Sequence, residues 1–254
     1  MKTSLLGVSV FPIDYQSAAK RIILWAEKKS FFAVYAANVH MLMEAHDSPA
    51  YRQVLNQADM ITPDGMPLVW LMRLKGIKNQ QRVYGPTLML HVIQAAANKK
   101  IPVGFYGGRP ETLRLLRTRM QDQFEDLTIA YAFSPAFGEV SLAEDEQITT
   151  EIVQSGVRIL FVGLGCPKQE RWIAAHRGKI PSVMLGVGAA FDFHAGTKPQ
   201  APTWMQQIGL EWLFRLLHEP ARLGRRYIYH NPRFIFWAML DFLGLYPRDA
   251  NNNE

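Results

Sequence analysis

The sequence predicts an α/β fold, a mainly parallel sheet with helices on both faces, followed by a C-terminal helical appendage. Strand-length apolar or β-branched runs alternate with amphipathic helical patterns, polar residues gather directly after those runs, and the strand signal stops near residue 199. Residues 1–198 read as the core and residues 199–254 as the appendage.

The run "LLGVSVF" (5–11) comes first, then the helical pattern "YQSAAKRIILWAEKK". The second strand, "FFAVYAA" (31–37), ends at Asn38 and His40. A short strand then leads into "ITPDGMP" (61–67), where two prolines interrupt regular pairing and Gly65 opens backbone angles closed to other residues, so the chain turns sharply. Asp64 in that turn has two readings: an N-cap for the following "PLVWLMRL", or a carboxylate held at the rim of a sheet. The helical "PTLMLHVIQAAANKK" precedes "VGFYGG" (103–108) with Arg109 at its end, and "PETLRLLRTRMQDQF" precedes "LTIAYAF" (127–133). "EDEQITTEIVQSG" opens on acidic residues, which the helix dipole favours there. "RILFVGLG" (158–165) runs into "CPKQE", and "SVMLGVG" (182–188) into "AAFDFHAG". Parallel sheets bind ligands outside the carboxyl ends of their strands, so these polar clusters converge on the expected site.

Composition narrows the classes. A single cysteine, Cys166, excludes an internal disulfide framework, and the N-terminus lacks the apolar stretch and cleavage site of a signal peptide, which points to the cytosolic side. A net charge of +6 favours acidic partners such as nucleotide diphosphates, anionic lipid headgroups or nucleic acid. "FVGLGCPKQERW" (161–172) is built like a phosphate-binding turn, with Gly163, Gly165 and Pro167 opening a helix. It lacks the third glycine of a dinucleotide fingerprint, and no P-loop occurs, which weighs against a dinucleotide-dependent oxidoreductase or an NTPase. Cys166 has no neighbouring histidine or aspartate pattern and reads as a small packing residue rather than a nucleophile. With no H-x-x-x-H, H-E-x-x-H or D-x-D, no metal is expected.

From residue 201 to 246, Trp204, Trp212, Phe214, Tyr227, Phe234 and Trp237 interleave with Arg215, Arg222, Arg225, Arg226 and Arg233. The stretch "FIFWAMLDFLGLY" is shorter than the roughly 20 residues that span a bilayer and contains Asp241, so it reads as lying on a membrane or packing on a partner. No helix-turn-helix, zinc-ligand or RNP-like signature accompanies it, and nucleic acid is not expected as a partner.

In order along the chain, "ANVHMLMEA" (37–45), "ADMITPDGMPLVW" (58–70), "RVYGPTLM" (82–89), "VGFYGG" (103–108), "FVGLGCPKQERW" (161–172), "GVGAAFDFHAG" (186–196) and "LEWLFRLLHEPARLGRRY" (210–227) resemble the WecG/TagA/CpsF family of bacterial glycosyltransferases. The resemblance implies a Rossmann-like core of the GT-E type. It also implies inverting, metal-independent transfer, without a cofactor, from a UDP-sugar to a polyprenyl-diphosphate-linked acceptor, peripheral on the inner face of the cytoplasmic membrane and with self-association possible. By the same resemblance Asp64 is the general base, Asn38 contacts the donor, Arg82 neutralises diphosphate charge, Gln169 and Asp192 bind the nucleotide, and Arg215, Arg222 and Arg225 close over the diphosphate. Where many members carry a threonine two residues before the asparagine, this chain has Ala36, which leaves glucose and N-acetylmannosamine both open as the sugar. A non-catalytic membrane scaffold would keep the appendage and not need Asp64. Removing the chain from about residue 200 is expected to abolish transfer and leave a folded core.

Overall fold

The computed structural model describes residues 2–247 apart from 137 and 139. Residues 248–254, the end of the expected appendage, lie outside the described residues. The chain opens with an antiparallel hairpin of β1 (Thr3–Leu5) and β2 (Val8–Val10). Leu6 and Gly7 close it at φ 48° and 76°, the positive angles that a two-residue turn between twisted strands demands. The run 5–11, expected as one strand of the main sheet, is thus cut by this turn and belongs to a separate two-stranded sheet.

Helix α1 (Tyr15–Glu27) buries Ala18, Ala19, Ile22, Ile23 and Ala26 at helical spacing. β3 (Phe32–Ala37) leads into α2 (Val39–Asp47), capped by Asn38, and α3 (Pro49–Asn56), capped by Ser48 with proline in its first turn. β4 (Met60–Pro63), α4 (Met66–Leu74) and α5 (Gly85–Asn98) follow. Next come β5 (Val103–Gly107), α6 (Pro110–Gln123) and β6 (Ile129–Phe133). The acidic opening of α7 (Leu142–Gln154) is a capping box, in which Ser141 and Glu144 satisfy each other's backbone N–H groups. β7 (Ile159–Gly163), α8 (Lys168–Ala175), β8 (Val183–Gly186) and α9 (Ala190–Ala195) complete the α/β alternation, and α10 (Thr203–Gln207), α11 (Glu211–His218) and α12 (Pro220–Phe242) end the described chain.

The main sheet has the order β4-β3-β8-β7-β5-β6 and is flanked by helices, as the alternation predicts. Its ladders from β3 through β8, β7 and β5 to β6 are all parallel. β5 and β8 are buried at every position, which explains their continuous rather than alternating apolar pattern.

The chain divides into two compact units, one holding the described residues of 1–14, 36–84 and 200–247, the other residues 15–35 and 85–199. In the second unit Phe105 stacks on Phe161 and meets Phe191 edge-on, with ring centroids 5.7 Å apart in both pairs. A side chain at Gly163 would sit 2.6 Å from the Phe191 ring, so only glycine fits beneath it. In the first unit α12 is tied down by ion pairs. Asp241 accepts from Lys75 at 2.6 Å and from the Leu6 N–H at 3.3 Å, and Arg233 donates to Asp47 at 2.9 Å. Leu223, Phe234 and Tyr246 bury their side chains in the same unit.

Candidate active site

The site is built where β3 and β4 end. The Ala37 carbonyl accepts from the N–H groups of both Asp64 (2.9 Å) and Gly65 (3.1 Å), and the Pro63 carbonyl accepts from Val83 N–H (2.9 Å). Three backbone bonds therefore fix the proline-framed turn. Gly65 does not take the special backbone angles expected of it, since its φ of −78° and ψ of 132° are open to any residue; a Cβ there would lie 3.3 Å from the Asn38 Cα, a tight contact.

Of the two readings of Asp64, the capping one does not hold. Gly65 is the N-cap residue of α4 and no side chain caps that helix. The Asp64 carboxylate instead accepts from Arg82 Nη2 at 3.1 Å, while Arg82 Nε donates to the Asp64 carbonyl. The same guanidinium reaches Glu211 Oε2 at 2.6 Å and lies 4.0 Å from the Tyr84 ring centroid; Tyr84 donates its hydroxyl to Glu211 Oε1 at 2.9 Å. Arg215 Nη1 stands 3.8 Å from Glu211 Oε1. One arginine thus bridges two carboxylates, the arrangement that lets buried acids stay in the fold.

Burial dominates the electrostatics of Asp64. It pushes the carboxyl up from 3.8 to about 6, with the Glu211 charge adding to the rise and Arg82 and Arg215 opposing it. Burial works against the charge on Arg82 too, but Asp64 and Glu211 outweigh it and hold the guanidinium above its ordinary value. Burial, then the Glu211 and Asp64 charges, push the Tyr84 hydroxyl up, so it remains a donor.

These groups face a cavity of about 770 Å³, lined wholly by residues of the first unit. Its polar end holds Asn38, Asp64, Arg82, Tyr84, Glu211, Arg215 and Arg226. Its long wall is apolar, formed by Trp70, Leu71 and Leu74 of α4 and by Ile235, Ala238, Met239 and Phe242 of α12. Several of these are exposed, Leu74 and Ile235 most of all, so the wall opens to the surface.

Asn38, Asp64, Arg82 and Arg215 are therefore brought together as expected positions of one pocket. Asn38 Oδ1 accepts from Met41 N–H (3.2 Å) as the cap of α2, which leaves its Nδ2 to reach a ligand. Arg222 and Arg225 are exposed and do not line the pocket; Arg222 is paired with Glu219 at 2.6 Å. Arg226, one helical step from Arg225, lines it instead. Gln169 and Asp192 belong to the second unit. Buried Gln169 takes the N–H groups of Gly165 (3.2 Å) and Gly188 (3.1 Å) on one oxygen and donates to Glu170 (2.7 Å), so it ties two glycine turns together. Asp192 pairs with Lys198 at 3.2 Å.

Sequence reasoning missed Glu211, Tyr84 and Arg226. Glu211 had a signal: it is the one acid in the aromatic and basic run "LEWLFRLL", and here it is buried.

A largely enclosed carboxylate thus sits in a strand-end turn of an α/β sheet, beside a cation-lined cleft. The chain is a glycosyltransferase. It belongs to the Glycosyl transferase WecG/TagA/CpsF family, whose model matches residues 3–247. It is similar to the N-acetylglucosaminyldiphosphoundecaprenol N-acetyl-beta-D-mannosaminyltransferase of Bacillus spizizenii, 32% identical over 200 residues that cover 78% of this chain and 76% of the relative. The enzyme of the same name from Staphylococcus aureus is 30% identical over 233 residues, 88% and 89% of the two chains. That from Bacillus subtilis is 26% identical over 202 residues, 79% and 77%.

Proposed function

We propose that this enzyme transfers N-acetylmannosamine from its UDP-sugar to N-acetylglucosaminyl-diphosphoundecaprenol, with inversion and without a required metal, in the synthesis of a cell-surface polymer. The observation that carries the reading is Asp64, a carboxylate with a pKa of about 6 at the polar end of a long apolar pocket. Of the two sugars the sequence leaves open, the names of the relatives favour N-acetylmannosamine over glucose.

The geometry supports the following chemistry. The acceptor hydroxyl attacks the anomeric carbon of the donor, Asp64 takes the hydroxyl proton, and the bond from that carbon to the UDP oxygen breaks with its electrons on the β-phosphate. A base with a pKa near 6 is ionised at neutral pH and still basic enough to accept a proton in flight. Arg82 orients it. Arg215 and Arg226 supply positive charge where the leaving diphosphate develops its own. Asn38 Nδ2, not used in capping α2, donates to the sugar.

The apolar wall suits the acceptor's lipid. The first isoprenyl units run between α4 and α12, over Trp70, Leu74, Ile235 and Phe242. No helix among the described residues is long and apolar enough to cross a membrane. α12 exposes Ile228, Tyr229 and Phe236, and Leu243 just after it, along with Arg222 and Arg225, a surface that fits the headgroup region of a bilayer, with the enzyme on its cytoplasmic face. Gln169 and Asp192 remain the nucleotide-side proposal.

The test is transfer by the purified protein, with EDTA, from UDP-N-acetylmannosamine, UDP-glucose and UDP-glucuronate to a short-chain polyprenyl-diphosphate N-acetylglucosamine. Product from the first donor alone, with inverted anomeric configuration by NMR, is expected. Product from UDP-glucose instead would overturn the assignment of the sugar, and loss of transfer in EDTA that excess Mg²⁺ or Mn²⁺ restores would overturn metal independence.

A further inference from the structure

We propose that His40, Glu44 and His230 form a binding site for a zinc-class divalent cation that staples the C-terminal helix α12 to α2. The sequence search for histidine pairs passes over the H-x-x-x-E at 40–44, which places both side chains on one face of α2. α12 brings His230 against that face.

The geometry has the spacing of ligands around an ion rather than of hydrogen bonds. Glu44 Oε1 is 3.7 Å from His40 Nδ1 and 3.6 Å from His230 Nε2, and one ligand atom from each residue lies within 4.8 Å of the others. Bonds of about 2.0 to 2.1 Å to a tetrahedral zinc put its ligands about 3.3 Å apart, so the two Glu44 separations close with shifts of a few tenths of an ångström, and a rotamer change of one imidazole brings the two histidines together. The donors, two imidazoles and a carboxylate, suit zinc, cobalt or nickel and disfavour magnesium.

His230 gives an independent reason. The ring is buried, its Nδ1 has no hydrogen-bond partner among the described residues, and its Nε2 meets only Glu44, beyond hydrogen-bond length. Coordination would occupy Nε2, the nitrogen that faces Glu44 without a hydrogen bond among the described residues. Nearby Arg233 is neutralised by Asp47, whereas Arg226 opposes a cation and weakens the site.

His40 and His230 also line the active-site pocket, and α2 is the helix that Asn38 caps. An ion here would hold the apolar wall of α12 in place without taking part in transfer, so the proposal does not depend on the substrates.

The experiment uses the full chain, freed of tags and stripped with chelator. Zn²⁺ titration by calorimetry should give one site per chain, Co²⁺ should give the visible spectrum of nitrogen and oxygen ligation without a thiolate charge-transfer band, and Zn²⁺ should slow hydrogen exchange in α12. His230→Ala and Glu44→Gln should each weaken binding at least tenfold, while His218→Ala should not. Glu44 is half-exposed and its side chain makes no hydrogen bond among the described residues, so Glu44→Gln carries the test if the His230 variant fails to fold. Absence of stoichiometric binding, a thiolate band from Cys166, or equal affinity in Glu44→Gln would overturn the proposal.

Discussion

Replacing Asp64 with asparagine should make the protein more stable and inactive at once. The folded-state pKa of about 6 lies above the ordinary 3.8, so the folded chain binds this proton more tightly than the unfolded one. Between those two values stability falls as pH rises, and above about 6 the whole penalty of a buried charge applies. Two pKa units correspond to about 3 kcal/mol at pH 8 and roughly half of that at pH 5, where most Asp64 is protonated. Asparagine removes the charge, keeps an oxygen for Arg82, and leaves Arg82 its 2.6 Å bond to Glu211. Allowing for the weakened pairing, the gain at pH 8 is about 1 to 3 kcal/mol, a rise in Tm of several degrees for a chain of this size. Transfer should fall by about 10² to 10⁴. Thermal melts of both proteins at pH 8 and pH 5, with transfer assayed at pH 8, check this. A variant that stays fully active, or one less stable at pH 8, refutes the reasoning, as does a gain that does not shrink at pH 5.

Wild-type kcat/KM should rise with pH through about 6, and Glu211→Gln should move that limb to lower pH, because the Glu211 charge helps hold the Asp64 pKa up; an unmoved limb would mean that another group sets it. Arg226→Ala should lower transfer at least tenfold while Arg222→Ala stays within about threefold, since only the first lines the pocket. The opposite order would restore the arginine set drawn from the family resemblance. Gly163→Ala should cost about 1 to 3 kcal/mol by forcing a methyl into the buried Phe191 ring, read as a fall in Tm.

The sheet was legible because buried parallel strands are continuous apolar runs, and each of "VGFYG", "ILFVG" and "VMLG" is one. The first strand misled because Leu6 accepts a positive φ normally left to glycine or asparagine; its buried side chain stabilises a turn that local propensity would not place there. At the site, Asp64 stood out through its framing prolines. Glu211 showed only as the lone acid of its run, and nothing local says that a residue 129 positions from Arg82 will share its guanidinium. Arg222, Arg225 and Arg226 look alike in sequence, and only the rotation of α12 decides which faces the pocket.

That rotation also changes what truncation should do. Read as an appendage, the chain beyond residue 200 could be removed without harm to the core. In the structure it supplies Glu211, a partner of both Arg82 and Tyr84, and it buries Leu223, Phe234 and Tyr246 within the unit that contains residues 36–84. Its loss would leave the Arg82–Asp64 pair without its second carboxylate and open the apolar faces of α2 and α4 to water. A chain ending at residue 199 should therefore lose transfer and also lose hydrogen-exchange protection across residues 36–84, while residues 85–199, the larger part of the other unit, keep theirs. Transfer by the truncated chain would refute the pocket assignment. Unchanged protection across 36–84 would show that the appendage contributes substrate contacts only, and that the first unit holds together without α12.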